Sequence, residues 1–197
     1  MGNINRVAGF KPVRHLNGNP YNGKARMYYV RSDYAVALFV GDAVISGGSS
    51  DASGKYATIQ QATAGSVNIR GVIIGFSDQP HAAFDATNLY RTYKPASTEM
   101  YALVVDDPDV IFEIQEDNVD NDMNADMVGL STDIAVGSGD TASGMSGMEL
   151  DSSDTGSGSG QCRILGVSNK EDNDLGTYCK WDVLINLHEL RTVDADV

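Results

Sequence analysis

From Ala25 onward, apolar and polar positions alternate in short runs broken by Gly, Asp or Asn, the texture of β-strands joined by tight turns. Candidate strands fall at 25–31, 34–40, 43–46, 55–61, 67–76, 99–105, 110–116, 127–136, 146–150, 161–168 and 177–188. In Tyr178–His188 the apolar Cys179, Trp181, Val183, Ile185 and Leu187 alternate with Lys180, Asp182 and Asn186. Period 2 of this kind predicts a half-buried strand with Trp181 on its inner face. Between Tyr101 and Gln115 two apolar runs flank Asp106, Asp107, Pro108 and Asp109. Proline presets φ there and the aspartates can accept from nearby amides, which predicts a hairpin. A second hairpin, 161–168 with 177–187 about the loop NKEDNDLG, would set Cys162 opposite position 183 and Cys179 opposite 166. The two thiols are then too far apart to bond.

Other stretches lack either period. Residues 1–24 are too rich in Gly, Asn and Pro for a helix and show no sustained alternation, so they read as an extended basic arm. Asp117–Met127 is dense in Asp and Asn, whose side chains compete with helical backbone bonds, and reads as a loop. Residues 137–160 hold seven Gly and seven Ser in 24 positions, the composition of a flexible connection around one edge strand. No internal repeat is visible. The expected architecture is all-β, a single β-sandwich domain over 25–197 that carries the arm and the long Gly/Ser-rich loop.

With 197 residues, 42% of them apolar, the chain can bury a real core. Its 27 acids against 14 bases give a net charge of −13, which disfavours a nucleic-acid partner. The charge is segregated. Residues 1–32 carry Arg6, Lys11, Arg14, Lys24, Arg26 and Arg31 with no acid, whereas 95–162 carry 15 acids and no Lys or Arg. A basic start attached to an acidic body suits association with an acidic partner or with a second copy, although internal neutralisation explains it as simply. The longest apolar run, Ala35–Val40, is far short of the ~20 residues a membrane helix needs, and the first residues lack a signal-peptide core. A soluble protein made in a reducing cytosol is expected.

Candidate chemistry is thin. His15, His81 and His188 are scattered, Cys162 and Cys179 lack C-x-x-C spacing, and no G-x-S-x-G, P-loop or dinucleotide fingerprint occurs. No catalytic residue, cofactor or metal ligand is assigned, and the chain is not expected to be an enzyme. The acidic run Glu116, Asp117, Asp120, Asp122 and Asp126 invites calcium, but the EF-hand template puts Ala125 where glycine must turn and Ser131 where a bidentate Glu belongs. Paired carboxylates without a defined separation support no glycosidase. Tyr28, Tyr29, Tyr34, Tyr90, Tyr93 and Tyr101 would suit a sugar platform or, more plainly, a core.

In GFKPVRHLNGNPYNGKARMYYV at the start, ALFVGDAV and RGVIIGF in the first half, DDPDVIFEIQED in the middle and WDVLINLHEL at the end, the chain resembles the capsid decoration, or cement, proteins of tailed bacteriophages, and the resemblance covers most of the chain. It implies a jelly-roll-like β-sandwich on the capsid outer surface of the virion, a homodimer or homotrimer that ties major capsid protein subunits together, with neither nucleic acid nor membrane as partner. In that setting Arg6, Phe10, Lys11 and Arg14 are the expected partner contacts, the bases for attraction and Phe10 as an apolar anchor. The alternative is a carbohydrate-binding or metal-stabilised β-sandwich module on a virion or secreted protein.

Overall fold

The computed structural model describes residues 3–65, 67–80, 91–119, 123–156 and 160–191. The chain is all-β, and its regular elements in order are β1 (Lys11–His15), β2 (Arg26–Val30), β3 (Leu38–Phe39), β4 (Ala43–Ser50), β5 (Ala57–Gln61), β6 (Gly71–Ser77), β7 (Tyr93–Lys94), β8 (Met100–Val105), β9 (Val110–Gln115), β10 (Ser131–Thr132), β11 (Ile134–Ala135), β12 (Glu149–Leu150), β13 (Cys162–Val167) and β14 (Lys180–Ile185). One 3-10 turn, Ala125–Met127, is the only helical element among the described residues.

The two-stranded pairs β3-β7 and β11-β12 take four of these strands, and the other ten form two layers. One is a closed barrel, β2-β5-β4-β6-β8, sealed by a parallel contact between Tyr29 and Thr58. The other is a five-stranded antiparallel sheet in the order β1-β9-β14-β13-β10. The sandwich-like two-layer arrangement is therefore present. A jelly roll winds two open sheets around one core, whereas here one layer closes on itself, and closure removes its edges.

Alternation decides what each layer buries. On the barrel strands Tyr28, Val30, Val44, Ile59, Ile73, Phe76, Met100, Ala102 and Val104 fill the interior. On the sheet Phe112, Ile114, Trp181, Val183, Ile185 and Ile164 form a second core with Ala43, Val72 and Val105 from the barrel.

Three expectations are corrected. Tyr101–Gln115 is not a hairpin: β8 pairs with β2 and β6, and β9 with β1 and β14, so the Asp106–Asp109 turn carries the chain from barrel to sheet. The turn chemistry holds, since Asp107 Oδ1 accepts from Asp109 N at 2.9 Å; what it joins is set by the apolar faces on either side. Residues 34–40 yield only the two-residue β3, because the carbonyls of Tyr34 and Val36 accept from the buried Lys94 ammonium at 2.8 and 3.1 Å. Of the expected flexible connection 137–160, residues 157–159 lie outside the described residues, and 137–156 are not loose. Met148 and Leu150 are fully buried, and Gly139 lies flat on the Phe39 ring, where any Cβ would collide. Glycine here permits close approach, which composition cannot distinguish from flexibility.

The β13–β14 hairpin forms, with Cys162 opposite Ile185 and a bulge between Ile164 and Gly166, two residues away from the expected register. Both cysteines are free and buried, and burial pushes the Cys179 thiol up to about 11. Trp181 lies fully inside, as its alternation predicts. Trp181→Ala should therefore lower unfolding free energy by ~3–5 kcal/mol in denaturant titration, and native tryptophan emission should be blue-shifted.

Candidate functional site: a basic hollow beside the first strand

The N-terminal segment is held to the sheet from its start. Asn3 Nδ2 donates to the carbonyls of Asp174 and Thr177 at 2.7 and 3.0 Å, and its Oδ1 accepts from Asp174 N at 2.9 Å. Arg6 N donates to Gln115 Oε1 at 2.8 Å. Gly9 then turns with φ +65°, and a Cβ there would stand 2.5 Å from Gly41 O. Only glycine tolerates both conditions. Phe10, 2% exposed, sets its ring edge-on to Phe112 at 5.9 Å, and β1 follows as an edge strand where Pro12 removes no ladder bond the sheet needs.

The expected arm of residues 1–24 is thus stitched into the domain. Alternation missed it because β1 lies at an edge, so neither face repeats regularly, and the register shifts between Pro12 and Arg14. Phe10, expected as an anchor for a partner, is inside this chain's own core. Arg14 is likewise engaged, its guanidinium 2.8 Å from the buried Asp182 carboxylate.

Arg6 and Lys11 have a different environment. Both are exposed and make no ion pair among the described residues. Together with Lys170 and Lys180 they surround a shallow hollow of about 190 Å³ floored by Glu113 and Gln115. Glu113 is satisfied, taking 2.6 Å bonds from Ser168 Oγ and Lys170 Nζ. Burial alone would raise its pKa, but those two partners outweigh it and hold the carboxyl below its ordinary range. Lys170 neutralises that carboxylate, which leaves Arg6, Lys11 and Lys180 as the excess cations of the hollow, on a chain of net charge −13. Glu171 and Asp172 line the adjoining hollow on the far side of Arg6 and Lys180. The arrangement suits an anionic side chain rather than bond-making chemistry. Lys170 and Lys180 were not legible as part of the site: their place depends on β9 pairing with β14, a long-range register.

Other candidates disperse. His15 lies 3.4 Å from Asp107, and His81 falls outside the described residues. His188 is buried, its Nδ1 accepting from Leu190 N at 3.1 Å. Of the acidic run, Asp120 and Asp122 lie outside the described residues. Glu116 is buried with Oε1 accepting from Tyr178 N at 2.8 Å, and burial pushes its pKa up. No group of three His, Cys, Asp or Glu is arranged to hold a metal among the described residues. Tyr28 points into the barrel, Tyr93 stacks on Phe39 at 5.2 Å and Tyr34 packs beneath Lys94, whereas Tyr90 is outside the described residues. Tyr29 and Tyr101 do meet on the barrel exterior, joined by Tyr56.

Comparison with protein-family models, curated proteins and solved structures yields no match.

Two outcomes follow from this geometry. Phe10→Ala should lower stability by ~3–5 kcal/mol, and deletion of residues 1–24 should abolish cooperative melting instead of leaving a folded body. His188 is held neutral, its pKa lowered to about 4 first by burial and then by Arg191 and Arg70. The unfolded chain protonates near 6.5, so this contribution to stability is complete above that pH and is lost as pH falls towards 4. His188→Gln should flatten the fall of melting temperature across that window.

Proposed function

We propose that the chain is a structural virion protein, a decoration protein that binds the outside of a tailed-phage head and stabilises contacts between major capsid protein subunits. One observation carries the reading. Three segments on which the resemblance rests, at the start, middle and end of the chain, become β1, β9 and β14, neighbours in one sheet. Their shared border with the 168–180 loop is the basic hollow. A protein that ties subunits together needs a stiff body and a charged contact more than a deep pocket. Exposed ion pairs are each worth ~0–1 kcal/mol, so the hollow would tune attachment alongside a larger buried area.

In this reading Arg6 and Lys11 touch the capsid, while Phe10 and Arg14 hold the contact strand in place. The assembly unit is a homodimer or homotrimer, which gains avidity from repeated weak contacts. The test is sedimentation of purified protein with undecorated heads. Wild type should co-sediment, and Arg6→Glu with Lys11→Glu should weaken attachment roughly five- to thirty-fold at low salt, with a smaller difference at high salt. Failure of wild type to co-sediment, or equal occupancy by the double variant at both salts, would refute this function or this contact respectively.

A further inference from the structure

On β2 and β8 every second side chain enters the barrel, and the positions between face outward. Tyr29 lies directly opposite Tyr101 in the ladder, with ring centroids 5.5 Å apart, and Tyr56 meets Tyr101 edge-on at 5.4 Å. All three rings are only half-buried. Tyr56 is fixed by its turn, where Asp51 Oδ1 accepts from Lys55 N and Tyr56 N at 2.9 Å each. The exposed Glu99 carboxylate stands within electrostatic reach of Tyr29, and the Asp51 carboxylate within reach of Tyr101.

The aromatic strip continues into a polar hollow of about 240 Å³ that includes Arg31, Asp33, Thr58 and Gln60 in its lining. Thr58 is the ladder partner of Tyr29, and Arg31 follows Tyr29 by two residues on the same face. Arg31 Nε donates to Asp33 Oδ1 at 2.8 Å, so this planar pair is already oriented. At Gly48, on the outer end of β4, an added Cβ would meet nothing within 4 Å among the described residues.

We propose that this barrel face binds a neutral oligosaccharide. A pyranose ring offers an apolar C–H face, which packs on aromatic rings, and a rim of hydroxyls, which pair with planar amide, guanidinium and carboxylate groups. Both halves are present and adjacent: three rings, then Arg31, Asp33 and Gln60. Charge selects among polymers. Two bases, Arg31 and Lys55, stand with three acids, Asp33, Asp51 and Glu99, so the region is net negative and disfavours nucleic acid, uronate and sulfated glycans. The same acids are poor company for an apolar peptide strand, whose backbone would also find no open edge on a closed barrel. The inference goes beyond attachment to a shell and does not rest on it, since it concerns the barrel rather than the sheet.

The test is native affinity electrophoresis of the full chain through gels containing dextran, glucomannan, hydroxyethyl cellulose or, as the charged comparison, polygalacturonate. Wild type should be retarded in at least one neutral gel and not in polygalacturonate. Tyr101→Ala should weaken that retardation about tenfold, the equivalent of one aromatic contact of ~1.4 kcal/mol. Tyr56→Ala, in a turn outside the barrel ladder, should do likewise while keeping the wild-type melting temperature, which separates lost binding from lost folding. Unretarded migration in every neutral gel, retardation only by polygalacturonate, or equal retardation of wild type and Tyr56→Ala would overturn the proposal.

Discussion

The fold depends on one seal between its layers, the edge-on contact of Phe10 with Phe112 made possible by Gly9 backing onto Gly41. A barrel of five short strands can enclose its own side chains. An open sheet cannot, and its inner face of Phe112, Ile114, Trp181 and Val183 requires a cover. Ala43, Val72 and Val105 of the barrel share that cover with Ile134, Met148 and Leu150, and the entering chain adds Phe10. A ring at position 10 and a bare α-carbon at position 9 are therefore complementary demands, one for volume and one for its absence.

The same division assigns the two candidate surfaces to different layers. The basic hollow belongs to the sheet and is assembled by pairings between distant strands, whereas the tyrosine face belongs to the barrel and follows from a single cross-strand register. Cations gather on one and carboxylates on the other. The cations of one and the tyrosines of the other stand outside the interlayer core, so a change at either leaves the packing between the layers intact.

The strands with a regular inward face were legible from alternation alone, as Trp181, Val183 and Ile185 show, because period 2 records burial directly. Which strands pair was not. The Asp106–Asp109 turn has the chemistry of a hairpin and the role of a crossover, since local turn preference says nothing about the partner of either flank. The edge strand β1 and the packed glycines of 137–147 were hidden for opposite reasons. At an edge, burial is uneven and leaves no period; in a close backbone approach, the side chains that would signal packing are missing. Arg6 and Lys11 were identifiable as unbalanced charge, but Lys170 and Lys180 became their neighbours only through the β9–β14 register. Tyr56 lay inside the candidate strand 55–61 but was not grouped with the other tyrosines, because its contact with Tyr101 depends on which distant strands pair.

The adjacency of β1, β9 and β14 also bears on how the molecule is made. Their residues stand roughly a hundred, then seventy, positions apart, so the sheet consists of contacts that close long loops. Pairing of that kind delays folding, because chain entropy is lost before the contacts that compensate for it exist. During synthesis the barrel strands all precede β9, so that layer can close first. The first strand, by contrast, waits with Phe10 uncovered until β9 arrives, and the opposite side of β9 stays open until β14 follows. In this interval the unfinished sheet is the part of the chain most open to pairing with another molecule, and the order of translation, as much as the final packing, governs whether it folds alone.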